Sequence, residues 1–135
     1  MNPILRNILA VILGLVLGSL VNGALIAISG HVIPPPEGVD VTTEEGLKAG
    51  MHLFKPINFL FPFLAHALGT LVGAFVASKI AANRKLLFAM VIGLAFFIGG
   101  IMTIFMLPSP IWFSIIDATL AYFPMAYLGY LFAKK

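Results

Sequence analysis

Cysteine is absent from this 135-residue chain. Its absence excludes disulfides, thiolate-bound metals, iron–sulfur clusters and cysteine nucleophiles. The only histidines are His31, His52 and His66, and no two of them have the HxxxH spacing of a helical metal site. We therefore expect neither a bound metal nor a cofactor.

Charged residues are also scarce, at 10% of the chain, while 61% of the residues are hydrophobic and the mean hydropathy is +1.08. Water-soluble domains carry about 25% charged residues, so composition excludes a soluble fold. Crossing a bilayer takes about 20 mostly apolar residues. Four such stretches predict one transmembrane domain over residues 1–135, with helices at about 4–29, 57–81, 86–107 and 111–133 and one sizeable loop, 30–56.

The first apolar stretch has to be distinguished from a cleaved signal peptide, because Arg6 precedes it and Ala27–Ser29 resembles a cleavage site. Its apolar run, from Ile8 to Ile28, is longer than the usual signal-peptide core of about 7–15 residues. We interpret it as a true membrane span.

The positions of lysine and arginine predict the orientation, since cytoplasmic flanks carry an excess of both. Six of the eight fall on one side, before the first helix, between the second and third, and after the fourth. Only Lys48 and Lys55 fall in the loop 30–56, together with four acidic residues. The sequence therefore predicts a protein of a bacterial-type inner (cytoplasmic) membrane, with both termini cytoplasmic and the loop outside. No basic surface interleaved with aromatic residues indicates nucleic-acid binding.

The loop 30–56 combines a proline-rich start with a short amphipathic pattern. Thr42 and Glu45 have the spacing of a capping box, and Leu47, Met51 and Phe54 follow at helical intervals. We expect a short helix on the outer surface, acting either as a packed cover over the helix ends or as a ligand gate.

Short connections predict that consecutive helices are antiparallel neighbours, in an up-down-up-down bundle of all-α class. The halves also share a faint pattern, because each has a proline-containing turn followed by an ionisable residue, His66 in one and Asp117 in the other. A two-helix internal repeat is one interpretation and coincidence is the other. Pro124 predicts a kink or hinge in the fourth helix.

Small residues recur at four-residue spacing on the first two helices, which allows close backbone approach in lipid. Either the helical hairpin itself or a dimer contact would use them. The two stripes are Ala10, Gly14, Gly18 and Asn22, and Ala65, Gly69, Gly73 and Ala77.

Three polar residues interrupt the apolar helices at a common depth. Asn22, His66 and Asp117 each lie seven or eight residues from the outer end of their helix, about 10–12 Å inside it at the helical rise. An aspartate at a helix centre costs about 2.5–3.5 kcal/mol on insertion scales, which pairing with His66 would relieve. Thr70 and Ser114 complete the predicted ion- or ligand-binding group.

The pair has two interpretations. Interhelical hydrogen bonds in membranes contribute only about 0.6 kcal/mol each, so stability alone is a weak reason to keep ionisable residues there. We expect a transporter or channel for a proton, an ion or a small polar solute, with Asn22 as a neutral coordinating group. The alternative is a non-catalytic accessory or scaffold subunit of a larger membrane complex.

No enzyme is expected. Ser114, His66 and Asp117 could be drawn as a hydrolase triad, but no nucleophile elbow or oxyanion-hole pattern accompanies them. Because a bundle of this size can hardly enclose a solute path alone, we expect a homo-oligomer or a membrane-protein partner within the lipid bilayer.

Overall fold

The computed structural model describes all 135 residues, and the chain folds entirely as helices and connecting turns, without β-strands. The α-helices are α1 (Pro3–Val32), α2 (Glu44–Gly50), α3 (Leu60–Ile80), α4 (Lys85–Met106), α5 (Ile111–Leu120) and α6 (Phe123–Lys134). Two short 3₁₀ turns, Met51–Leu53 and Pro56–Phe59, connect α2 to α3.

Four helical segments are long and apolar enough to cross a membrane, which confirms the predicted all-α class and its four candidate spans. They are Pro3–Val32, Pro56–Ile80, Lys85–Met106 and Ile111–Lys134. The first is longer than predicted, because the helix continues through Gly30 and His31 instead of ending at Ser29. Its 30 residues rise about 45 Å, more than the hydrocarbon core of about 30 Å requires.

Glycines bring α1 and α3 into backbone contact as antiparallel neighbours. A Cβ added at Gly14 would lie 2.7 Å from the Gly73 carbonyl oxygen, and one added at Gly18 would lie 2.6 Å from the Gly69 carbonyl oxygen. The stripe of small residues on α1 is thus used inside the chain, in the helical hairpin. The sequence left two uses for this stripe, the hairpin itself or a dimer contact, and the contact with α3 is the first of these.

The close contact predicts opposite effects for two leucine substitutions on α1. Gly18→Leu would drive a side chain into the backbone of α3 and is expected to destabilise the fold by about 1–3 kcal/mol. Gly23→Leu is the matched control, because no atom lies within 4 Å of its added Cβ, and it is expected to stabilise the helix by up to about 1 kcal/mol. Reversible unfolding in mixed micelles measures both, and equal stability of the two variants would contradict the contact.

Helix α3 lies at the centre of the bundle and contacts α1, α4 and α6. Gly129 lets α6 approach it closely, since a Cβ there would lie 2.5 Å from the Leu71 carbonyl oxygen. Gly93 on α4 in turn faces Ala126 on α6. The residues of α3 are therefore enclosed on three sides, which gives a polar residue on this helix a fixed set of neighbours.

The fourth span is broken where the sequence predicts one helix over 111–133. Helix α5 ends at Leu120 and α6 begins at Phe123, with Tyr122 between them at φ −115° and ψ −79°. Pro124 has no amide hydrogen and therefore cannot bond to the carbonyl of Leu120, as a continuous helix requires. The break turns Tyr122 inward, where its side chain is buried.

The segment before α3 folds over the ends of the helices. Met51, Phe59 and Phe113 form a buried cluster that attaches this segment to α5. Thr43, not Thr42, is the N-cap of α2, since its Oγ1 accepts a hydrogen bond of 3.0 Å from the amide of Gly46. The predicted capping box is therefore wrong: the cap lies one residue later, and Gly46 has no side chain to complete a box.

Thr42 instead holds the exposed carboxylate of Asp40, to which it donates both its hydroxyl and its amide hydrogen. These two hydrogen bonds lower the pKa of Asp40 below its ordinary value, because they stabilise the charged form. The turn before α2 is thereby fixed by side-chain and backbone bonds of its own.

Candidate functional site

His66 on α3 and Asp117 on α5 are in direct contact. The ring atom Nδ1 of His66 lies 2.8 Å from Oδ1 and 3.0 Å from Oδ2 of Asp117. Fifty-one residues separate them in sequence, so only the packing of α5 against α3 brings them together. The carboxylate is almost completely enclosed, with a side-chain exposure of 4%, whereas the imidazole is 21% exposed.

Tyr122 is a second partner of the carboxylate. Its hydroxyl donates a 2.8 Å hydrogen bond to Asp117 Oδ2, and its ring is stacked beside that of His66, with centroids 5.9 Å apart. Gly100 on α4 provides the space, because any Cβ at that position would collide with the hydroxyl of Tyr122. The signal in the sequence that could have indicated Tyr122 is Pro124, two residues later, where the helix breaks.

The contact determines which nitrogen of the ring is free. A carboxylate beside Nδ1 favours the proton on that nitrogen, so the neutral ring has its lone pair on Nε2. Nε2 makes no hydrogen bond within the protein and is not buried. His66 therefore presents an unpartnered, accessible proton acceptor, while Asp117 can compensate the charge of a protonated ring.

Two cavities adjoin this ring. The loop-side cavity, of about 230 Å³, lies beneath the segment that folds over the helix ends. Its wall is mainly apolar and aromatic, with His66 and Thr103 among the polar residues. Most of the hydrophobic residues of this wall are Leu47, Met51, Phe54, Phe59, Phe61, Leu107 and Phe113.

The second cavity, which we call the lateral cleft, has a volume of about 360 Å³ and lies between α1 and α4. His66 and Thr103 line it as well, so the two cavities share part of one wall. Its other polar residues are Ser19, Asn22 and Tyr122. The imidazole thus lies where the loop-side cavity meets the lateral cleft, which is open to the side of the bundle.

Asn22 lines the lateral cleft but makes no hydrogen bond with the His66–Asp117 pair. Its side-chain oxygen is buried and lacks any hydrogen-bond partner. The Cβ of Asn22 packs against Gly69 of α3, 3.1 Å from where a Cβ would stand there, which places Asn22 within one helical turn of His66. Asn22 thus shares a cavity with the predicted pair, although it is not bonded to either member.

The other two predicted site residues have different surroundings. Thr70 is fully buried, and its hydroxyl donates a 2.7 Å hydrogen bond to the carbonyl oxygen of His66. It therefore supports the backbone of the turn that carries the imidazole. Ser114 lies one turn before Asp117 on α5, lines neither cavity and makes no side-chain hydrogen bond. The structure does not bring Ser114 to the pair.

The half of the bundle nearer the chain termini is closed. Ala10, Ala77 and Ala89 have no exposed surface and fill its interior. A groove along Ile8 and Phe88 lies on the outside and does not include His66. The imidazole is therefore reached from the loop end and from the side, and not from the terminal end.

The site lacks any nearby group of three or more histidine, aspartate or glutamate side chains that could hold a metal ion. Comparison of the chain with protein-family models, with curated proteins and with solved structures finds no match. The fold and site define an all-helical protein with four candidate membrane helices and a polar His–Asp–Tyr centre among them. We therefore base the proposed function on the geometry of that centre.

Proposed function

We propose that the protein transfers protons, alone or together with an ion or small polar solute, across the cytoplasmic membrane, and that His66 and Asp117 are the exchange site. The observation that carries this proposal is the unpartnered Nε2 of His66, next to two cavities, on a ring whose other nitrogen is bonded to a buried carboxylate. A proton taken up by Nε2 gives an imidazolium, whose charge Asp117 compensates. Tyr122 holds the second carboxylate oxygen and keeps the carboxylate facing the ring.

In the proposed orientation both termini are cytoplasmic, the loop 30–56 is outside, and the spans run up-down-up-down. The distribution of lysine and arginine supports this arrangement. The antiparallel contact of α1 with α3 agrees with it. The site would then be open to the outside and closed toward the cytoplasm, so a full transport cycle requires a second conformation that opens the terminal half.

An internal two-helix repeat would explain why His66 and Asp117 face each other. Helix α3 and the α5–α6 pair run side by side in the same direction, since His66 meets Asp117 and Leu71 meets Gly129. Parallel halves of this kind are one of the repeat arrangements found in transporters. A homo-oligomer or a membrane-protein partner stays part of the proposal, because a bundle of this size can hardly enclose a solute path alone.

A scaffold or accessory subunit is the second candidate, and one observation favours it. Asp117 is bonded to both His66 and Tyr122, as a purely structural polar layer would require. Such a layer would fix helix register without moving a proton.

Proton flux into liposomes distinguishes the two candidates. Vesicles holding a pH-sensitive dye are given an acid pulse outside, with wild-type protein or Asp117→Asn in the membrane. A transporter or channel acidifies the interior with the wild type and loses this activity in the folded variant. A scaffold gives the leak of protein-free vesicles in both cases.

A further inference from the structure

The space around His66 suits a ligand with an apolar body and a polar end. The loop-side cavity has a wall of phenylalanine, leucine and methionine side chains, with His66 among its few polar residues. Ligand pockets commonly combine apolar walls with a small number of polar groups that orient the ligand. A small hydrophilic solute would leave most of this wall without a partner.

The lateral cleft provides a route into this space from the bilayer. Near the termini α1 and α4 pack together, with Gly14 against Ile92 and Gly18 against Phe96. Farther toward the loop, Gly99 lines the lateral cleft, and no atom lies within 4 Å of a Cβ placed there. The gap between α1 and α4 is therefore open at the level of His66, where the surrounding side chains face outward from the bundle. A ligand dissolved in lipid can reach the ring without first entering water.

The hydrogen-bonding groups determine the polar end of the ligand. Nε2 of His66 is an acceptor when the ring is neutral, and the side-chain oxygen of Asn22 is a buried acceptor without a partner. The ligand must therefore bring a hydrogen-bond donor. A hydroxyl is suitable, because it donates to one group and accepts from another.

The charges around the site exclude a carboxylate, a phosphate or an ammonium group as the polar end of the ligand. Asp117 is the only acidic residue in the four candidate membrane helices, and no acidic residue, lysine or arginine lines either cavity. A carboxylate or phosphate would find a negative charge nearby and no cation. An ammonium group would have to pass through hydrocarbon to reach the cleft, which is costly for a charged group.

We infer that the two cavities form a binding site for a hydroxyl-bearing amphipath, which reaches it sideways from the bilayer, bonds to His66 through its hydroxyl and places its apolar body in the loop-side cavity. This inference goes beyond the proposed proton transfer and does not require it, because a bound alcohol is detectable whether or not protons cross. The ligand is defined here by class, as an aliphatic or aromatic alcohol of low polarity.

Trp112 offers an internal reporter for this site, since it is the only tryptophan in the chain. Its ring centroid lies 5.5 Å from that of Phe59 and 5.9 Å from that of Phe113, and both phenylalanines line the loop-side cavity. A bromine atom on the apolar end of a bound probe would quench its fluorescence. The probe is ω-bromohexanol, compared with bromohexane, ω-bromohexanoate and ω-bromohexylamine, which differ only at the polar end.

The full-length protein in lipid nanodiscs is titrated with each probe. We expect saturable quenching by ω-bromohexanol and binding about tenfold weaker for bromohexane, the loss that corresponds to one hydrogen bond of about 1.4 kcal/mol. Equal quenching by the alcohol and the alkane would overturn the role of the hydroxyl. Tighter binding of the carboxylate or the amine would overturn the ligand class.

Two glycine substitutions on the same protein test the location. Gly30 lines the loop-side cavity and has no atom within 4 Å of an added Cβ, so Gly30→Leu adds a bulky side chain at the cavity wall without a clash at that atom. Gly23 is as open but lines neither cavity, which makes Gly23→Leu the matched control. We expect Gly30→Leu to abolish saturable quenching and Gly23→Leu to leave it unchanged. Equal binding by both variants would overturn the proposed position.

Gly99 tests the route, because it lines the lateral cleft and is open at its Cβ position. Gly99→Leu is expected to slow the onset of quenching at least severalfold in stopped-flow mixing, relative to Gly23→Leu. An unchanged rate would overturn access from the side. Proton flux is measured on the same preparations, so failure of the ligand site and failure of the transport proposal give separate results.

Discussion

Asp117→Asn is expected to reduce proton flux through the protein on the order of a hundredfold, the scale of losing an acid–base group. Asparagine keeps the size of the side chain and an oxygen that can accept the hydrogen of His66 Nδ1. It cannot compensate the charge of an imidazolium, because its amide is neutral. The substitution therefore separates the geometry of the pair from its electrostatics.

The matched control for this variant is Asp40→Asn, the same chemical change on an exposed turn far from the site in the chain. It is expected to leave the flux unchanged. Circular dichroism and size-exclusion chromatography must show that both variants are folded as the wild type is. A folded Asp117→Asn protein with wild-type flux would contradict the assigned role of the carboxylate.

His66→Leu is expected to cause the largest loss of stability among single substitutions at the site, about 3 kcal/mol, at the lower end of the range for leaving a buried charge without its partner. The variant leaves a carboxylate that is 4% exposed with only the hydroxyl of Tyr122 as a partner. His52→Leu is the matched control, since His52 is exposed outside the helices, and it is expected to change stability by less than about 0.5 kcal/mol.

A second substitution tests the cause of that loss. The double variant His66→Leu/Asp117→Leu removes the stranded carboxylate and is expected to be more stable than His66→Leu alone. It still leaves the hydroxyl of Tyr122 without an acceptor, at a cost of about 1 kcal/mol, which Tyr122→Phe should restore. Unfolding in mixed micelles measures the series. Additive losses for His66→Leu and Asp117→Leu would contradict a coupled pair.

The four spans and the depth of the polar residues could be predicted from the sequence, because hydropathy and helical rise are local properties of the chain. His66 and Asp117 lie at matching distances from their helix ends, and their contact follows once α5 packs on α3. Hydropathy therefore predicts the level of the polar layer, although it does not predict which members touch. Asn22 lies at that level without bonding to the pair.

Tyr122 and the cavities could not be predicted in the same way, since they depend on packing between distant segments. Tyr122 reaches Asp117 only because the helix breaks before Pro124 and because Gly100 leaves room on α4. The loop-side cavity forms where Met51 and Phe59 meet Phe113, residues from separate parts of the chain. The N-cap of α2 was predicted one residue too early for a different reason. Thr42 and Thr43 are adjacent and either could cap the helix, but Thr42 is hydrogen-bonded to Asp40.

The proposed function depends most directly on Asp117 holding the proton on Nδ1 of His66 and leaving Nε2 facing accessible space. Nitrogen NMR of the protein in bilayers tests it directly, in a variant whose only histidine is His66 because His31 and His52 are replaced by glutamine. We expect the neutral ring to have its proton on Nδ1 and its unprotonated Nε2 to exchange magnetisation with water. A proton on Nε2 of the neutral ring, or a ring without contact to water, would contradict it.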